Sequence, residues 1–206
     1  IDERLELASG LWETNVHEGR IAAAKLLTQA RIHPDDAAAW DLICSWVPDF
    51  DVFTIADMVC VAGQKRLVAD PTRLDTVEEW IESENLWARR AAFMMTLPWT
   101  KQNHPKPAEI DIRMRVLGWA AELVAEKQFM VQDAIAGWLR DLSKHDHDRT
   151  AAFIEEHGPV MKKLNPTGVL WASAAIATVG IFLMSEATGG MVYVAAVLFA
   201  IGVMYF

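Results

Sequence analysis

Charge is nearly absent from one end of this chain. Residues 165–206 carry a single charged side chain, Glu186, whereas the 164 residues before them carry 46. Two uninterrupted apolar runs side by side weigh against an ordinary solvated end, because a surface helix needs one polar face. Cysteine is scarce too. Cys44 and Cys60 are the only two and form no C-x-x-C or metal-type spacing, so the reading is buried free thiols in a reducing compartment. Positive charge is in short supply: the body, residues 1–164, holds all 19 Lys and Arg but 27 of the 28 acids, a formal charge of −8. That balance argues against strong non-specific binding to nucleic acid, which relies on phosphate neutralisation. There is no Gly-rich phosphate loop, no nucleophile elbow and no His-Glu-x-x-His. No stretch of the body alternates with the two-residue period of a strand, which excludes a sheet-based fold.

What is present is helical spacing. Apolar residues recur at Ile21, Leu26 and Leu27, at Trp40, Ile43, Cys44 and Val47, and at Leu117, Trp119, Ala120, Leu123 and Val124. Breaks fall at His33-Pro34, Val47-Pro48, Asp70-Pro71, the His104–Pro107 loop and His157-Gly158-Pro159. The expectation is about eight or nine helices of roughly 10–18 residues, joined by short turns. Within them Asn15-Val-His-Glu-Gly-Arg20-Ile-Ala22 aligns with Asn85-Leu-Trp-Ala-Arg-Arg90-Ala-Ala92, and more weakly with the segment opening at Gln128, at offsets of 70 and 43 residues. The Asn or Gln is expected to cap the second helix of a pair, with the Arg five residues on lying on an exposed or concave face. The fold class is therefore all-α, a HEAT-like helical-repeat superhelix over residues 1–164.

Residues 165–206 read as an apolar helical hairpin. Its two runs, 168–184 and 191–206, flank the turn Ser185-Glu-Ala-Thr-Gly-Gly190. Each reaches roughly 25 Å as a helix, near the lower bound for a membrane span. Lys162 and Lys163 precede the first run and place the body on the cytoplasmic side. Trp171, Tyr193 and Tyr205 stand near the run ends, and small residues four apart (Ser173 with Ala177, Ala196 with Ala200) suit close packing against other transmembrane subunits. The alternatives are a buried hairpin or a fusion, either of which leaves the protein cytoplasmic. The opening Ile1 and the final Phe206 lead us to expect natural sequence beyond both ends.

The pieces Leu11-Trp12…His17-Glu18-Gly-Arg20, Trp40-Asp41, Ser83-x-Asn85-Leu-Trp87-x-Arg-Arg90-Ala-Ala92 and Phe129-x-x-Gln132-x-Ala134-Ile135…Leu139-Arg140-Asp141 occur in this order over about residues 5–160. In them the chain resembles the DNA alkylation repair family, the AlkD-like alkylpurine DNA glycosylases. The resemblance implies a HEAT-like fold with a concave channel for double-stranded DNA. It also implies a Trp…Asp pair whose carboxylate stabilises the charge developing as a cationic base leaves, with aromatic faces holding the lesion. At those positions this chain has Trp40 and, four residues on, Cys44; a neutral thiol supplies no such charge, and Asp41 is the only nearby substitute. Arg90 and Arg140 match the family's DNA-backbone contacts, and Trp87 joins them as a DNA-binding candidate. Where the family has Ala-Ile-Gly-Trp-x-Leu-Arg, Ala134-Ile-Ala-Gly-Trp138-Leu-Arg140 puts Gly137 at the aromatic position.

No cofactor or metal is expected. His145-Asp146-His147-Asp148 reads as a solvated loop rather than a metal site. The functional expectation is a repair-like binding module with eroded glycosylase chemistry, anchored at a membrane. An active alkylpurine glycosylase and a scaffolding subunit of a membrane complex are the alternatives.

Overall fold

The computed structural model describes residues 2–164 apart from 30, 31, 33 and 34, with side chains described up to 160. Among these the protein is all-helical, with nine α-helices and no strand. They are α1 (Asp2–Glu13), α2 (His17–Leu26), α3 (Ala37–Trp46), α4 (Phe53–Ala69), α5 (Leu74–Glu79), α6 (Leu86–Thr96), α7 (Pro107–Glu122), α8 (Phe129–Ser143) and α9 (His147–Leu164). No helix among the described residues is long and apolar enough to cross a membrane. The hairpin expected at 165–206 lies outside the described residues.

The helix ends follow local chemistry. Pro48, Pro71 and Pro98 open single 3-10 turns after α3, α4 and α6, where a missing N–H does least harm. Pro107 opens α7, and Glu109 accepts from the Lys106 backbone N–H at 2.6 Å. The expected Asn cap holds at α6: Asn85 Oδ1 accepts from the Trp87 N–H at 2.8 Å. It does not hold at α2, where Val16 is the capping residue and Asn15 instead takes a left-handed conformation (φ 56°) that turns the chain out of α1. At α8, Gln128 is the capping residue but its side chain makes no capping bond.

The chain divides into two compact units, Ile1–Thr150 and Ala151–Phe206. This division by contacts falls inside α9, upstream of the charge break near residue 165. In the first unit the second helices of successive pairs pack in series, α2 on α4, α4 on α6 and α6 on α8, with α1 packed on α2 and α3. Alanines and glycine permit the close approach. Ala23, Ala24, Ala56, Ala62, Ala91 and Ala92 are buried, and a Cβ on Gly63 would come within 2.4 Å of Met95 Sδ. Larger apolar groups (Leu27, Ile43, Val59, Phe93, Ile135, Leu142) fill the remaining core, each fully removed from solvent or nearly so.

Polar contacts between neighbouring pairs recur at one separation. Trp12 with Asp49, His17 with Thr54, Asp36 with Arg73, Pro48 with Asn85, Glu78 with Arg115 and Arg89 with Glu126 are all 37 residues apart. The 70-residue offset read from the sequence thus spans two pairs, with α4 between. In the second unit, the Phe153 and His157 rings lie one turn apart with centroids 4.5 Å distant, and Pro159 sits inside the helix.

Candidate functional site

The candidate residues fall in two places. The first is α3. Trp40 is buried there, with its ring 6.3 Å from Trp80 at an interplanar angle of 19° and the Arg73 guanidinium 5.6 Å from its centroid. Arg73 donates to Asp36 at 2.6 Å and to the Arg66 carbonyl at 3.0 Å. Arg66 is fully buried, lies 3.4 Å from the other Asp36 oxygen and donates to the Gln29 carbonyl. Burial pulls the Arg66 pKa below its ordinary value, against the pull of Asp36. Two arginines thus share the Asp36 carboxylate behind the Trp40 helix, and Arg66 Nε and Nη1 are buried without a hydrogen bond.

Cys44 lies one turn beyond Trp40 and is half-buried, while Asp41 projects to solvent. Burial first, and the Asp41 carboxylate second, push the Cys44 thiol up to about 12, with Arg73 pulling the other way. At neutral pH this position is an uncharged S–H.

The second place is the edge where α2, α4 and α6 begin. The Trp87 ring meets Phe53 edge-on at 5.1 Å and Phe50 at 6.5 Å. Phe50 in turn meets Trp12 at 6.5 Å, and Trp12 stacks on Trp46 at 4.4 Å. Arginines sit against this aromatic row: Arg20 lies 4.7 Å over Trp12, and Arg90 lies 4.9 Å over Phe53. Both are paired, Arg20 with Asp51 at 3.5 Å and Arg90 with Asp57 at 2.6 Å. The Arg of each repeat is expected on an exposed or concave face, and of these Arg90 is not exposed, at 4%. The cause is Asp57, one pair back on α4, which draws the guanidinium inward over Phe53.

The family model described as DNA alkylation repair enzyme matches residues 1–166. The chain belongs to the DNA alkylation repair enzyme family. No curated protein and no solved structure matches it.

In this alkylation repair family member, Trp87 and Arg90 share the opening turns of α6 and meet around Phe53. Trp40, Asp41 and Cys44 share α3, where Trp40 meets Trp80 and Arg73 and Asp41 faces solvent. Arg140 is exposed near the end of α8, with Nη2 3.7 Å from where a Gly137 Cβ would stand. Trp138, displaced by one residue from the family's aromatic position, is 1% exposed and belongs to the core. The His145–Asp148 segment ties α8 to the loop after α6. Arg113, 1% exposed, donates to the carbonyls of Trp99 and Gln102 and to Asp146, and His145 Nδ1 lies 2.6 Å from Asn103 Oδ1.

Sequence reasoning passed over Phe50, Phe53 and Asp57. The spacing of the two phenylalanines, three apart around an acid-rich turn, was the available signal; the pairing of Asp57 with Arg90 had none, because its partners lie 33 residues apart.

Proposed function

We propose that this member of the DNA alkylation repair family is a binding module that has lost base-excision chemistry and is held at a membrane by its C-terminal segment. The carrying observation is Cys44. The position to which the family resemblance assigns a carboxylate holds a thiol whose pKa is pushed up to about 12. It therefore offers no negative charge to a sugar developing positive charge. Trp40, its partner in that reading, is committed to Trp80 and Arg73 and presents little of its ring to a lesion. A HEAT-like superhelix is supported by the serial packing of α2, α4, α6 and α8 and by the 37-residue recurrence of their contacts.

The family's printed description makes duplex DNA the ligand to test first. Arg140, exposed near the end of α8, is the candidate contact for it; Arg90 is turned toward Asp57 and Trp87 stands half-buried against Phe53. With a body charge of −8 and few cations at the candidate positions, binding is weak and its salt dependence shallow, because the slope follows the number of phosphates neutralised. The membrane arm rests on the charge-poor residues 168–206, with the body on the cytoplasmic side and other transmembrane subunits as neighbours.

A base-release assay on duplex DNA carrying a cationic alkylated purine tests the loss of chemistry. The expected result is release no faster than spontaneous depurination; turnover above that level, removed by Asp41→Asn, returns the chain to the glycosylases. Fractionation of the full chain tests the anchor, which is lost if the protein is recovered without detergent.

A further inference from the structure

Large apolar side chains normally retreat from the first residues of a surface helix, yet here they gather there. Val16 and Val52, the residues preceding α2 and α4, are 52% and 40% exposed, and Phe53, which opens α4, is 43% exposed. Trp87 stands half-buried beside Phe53. These helix starts are neighbours: His17 Nε2 lies 3.4 Å from Thr54 Oγ1, joining α2 to α4, and the Phe53–Trp87 contact joins α4 to α6. Phe129 opens α8 in the same way and is 64% exposed, the highest value of any large apolar residue among those described.

The rim of this apolar strip is acidic. Glu18, Asp49, Asp51 and Glu84 are all exposed along it. Arg20 offsets Asp51 and Arg90 is held by Asp57, which leaves Glu18, Asp49 and Glu84 as the unmatched charge of the rim. A free helix N-terminus favours anions, but Glu18 in the first turn of α2 and Asp49 in the turn before α4 already supply negative charge there. Phosphate and anionic lipid are therefore disfavoured, and a cation carrying apolar flanks is favoured.

We infer that the edge formed by the starts of α2, α4 and α6 is a docking surface for a basic polypeptide segment whose Lys or Arg residues alternate with apolar ones. Its apolar side chains would seat against Phe53, Trp87 and the two valines, and its cations would meet the acidic rim. Neighbouring packed helices lie about 8–10 Å apart, so three of them are spanned by roughly five or six residues of extended chain. The inference is independent of whether excision chemistry survives, which the base-release assay decides separately.

The test is fluorescence anisotropy of the full chain with a labelled peptide of about ten alternating Lys and Leu residues, a length that covers the three helix starts. A Glu/Leu peptide and a labelled DNA duplex serve as the comparison probes. The Lys/Leu peptide is expected to bind and the Glu/Leu peptide not. Phe53→Ser weakens binding about tenfold, the scale of an aromatic anchor, and Glu18→Lys weakens it less. Val68→Ser, at the far end of α4 and itself exposed, leaves it unchanged. Unaltered thermal melting of Phe53→Ser keeps the comparison valid, since that ring is nearly half in solvent. Indifference to Phe53→Ser overturns the inference, as does equal binding of the acidic peptide. So does competition by duplex DNA for the Phe53-dependent site, or a self-association of the chain that Phe53→Ser abolishes.

Discussion

Trp40 and Phe53 sit thirteen residues apart in sequence, and the fold treats them in opposite ways. On α3 the aromatic ring is sealed between Trp80 and Arg73, the neighbouring ionisable position is a neutral thiol, and Arg66 behind it is fully buried. At the helix starts the aromatic ring is left nearly half in solvent, with carboxylates around it and the guanidinium of Arg90 beneath. The first region has become part of the core, so a substitution there is read as stability. The second keeps apolar surface in water at a cost to solubility, and such surface is retained where something covers it. The residues proposed for recognition and those that the family resemblance places at the catalytic positions are different sets.

The sharpest way to break that comparison is to truncate both aromatics. Trp40→Ala is expected to destabilise the protein by about 3–5 kcal/mol in urea unfolding, the range for deleting a core aromatic. Phe53→Ser is expected to cost less than about 1 kcal/mol, as for surface positions. Equal losses would mean that the edge is core as well. The arginines give the next contrast. Arg66→Met orphans the Gln29 carbonyl and breaks a buried contact with Asp36, at an expected cost of about 3 kcal/mol. Arg90→Met leaves Asp57, whose side chain is 46% exposed, to be solvated by water, and is expected to cost about 1 kcal/mol.

The smallest effect is chemical. Burial pushes both thiols, Cys44 and the fully buried Cys60, up to about 12. A thiol-directed disulfide reagent at mildly alkaline pH should therefore label neither until denaturant is added. The sign of the linkage follows from the same shift. The folded state holds these protons more tightly than the unfolded chain, so their contribution to stability is complete below the ordinary thiol range and declines as pH climbs toward 12. Rapid labelling of Cys44 in the folded protein would place a reactive thiolate on α3 and reopen it as a chemical site.

How much of this was legible in the chain depended on distance. Prolines 48, 71 and 107 mark helix boundaries by local geometry alone, and Asn85 announces its capping bond two residues ahead. Asn15 misleads, because the same residue type that caps a helix also tolerates the left-handed turn before one. Arg90 was out of reach. Its burial is decided by Asp57 and Phe53 on the preceding helix pair, and no window around Arg90 contains either. The Cys44 position was legible in kind, a thiol where the family resemblance implies a carboxylate, but its neutrality depends on burial and on Asp41 and Arg73 around it.

The 37-residue spacing of the cross-pair contacts bears on how the chain acquires its structure. Each rung closes a loop of about one helix pair, so no single step requires the distant parts of the body to find one another. Loop-closure entropy grows only slowly with length, and contacts of this modest span favour quick assembly from any starting pair. Growth can proceed outward in both directions, on a ribosome as readily as in a refolding experiment. A lesion at one rung should then slow or loosen its immediate neighbours while the remote rungs close on schedule.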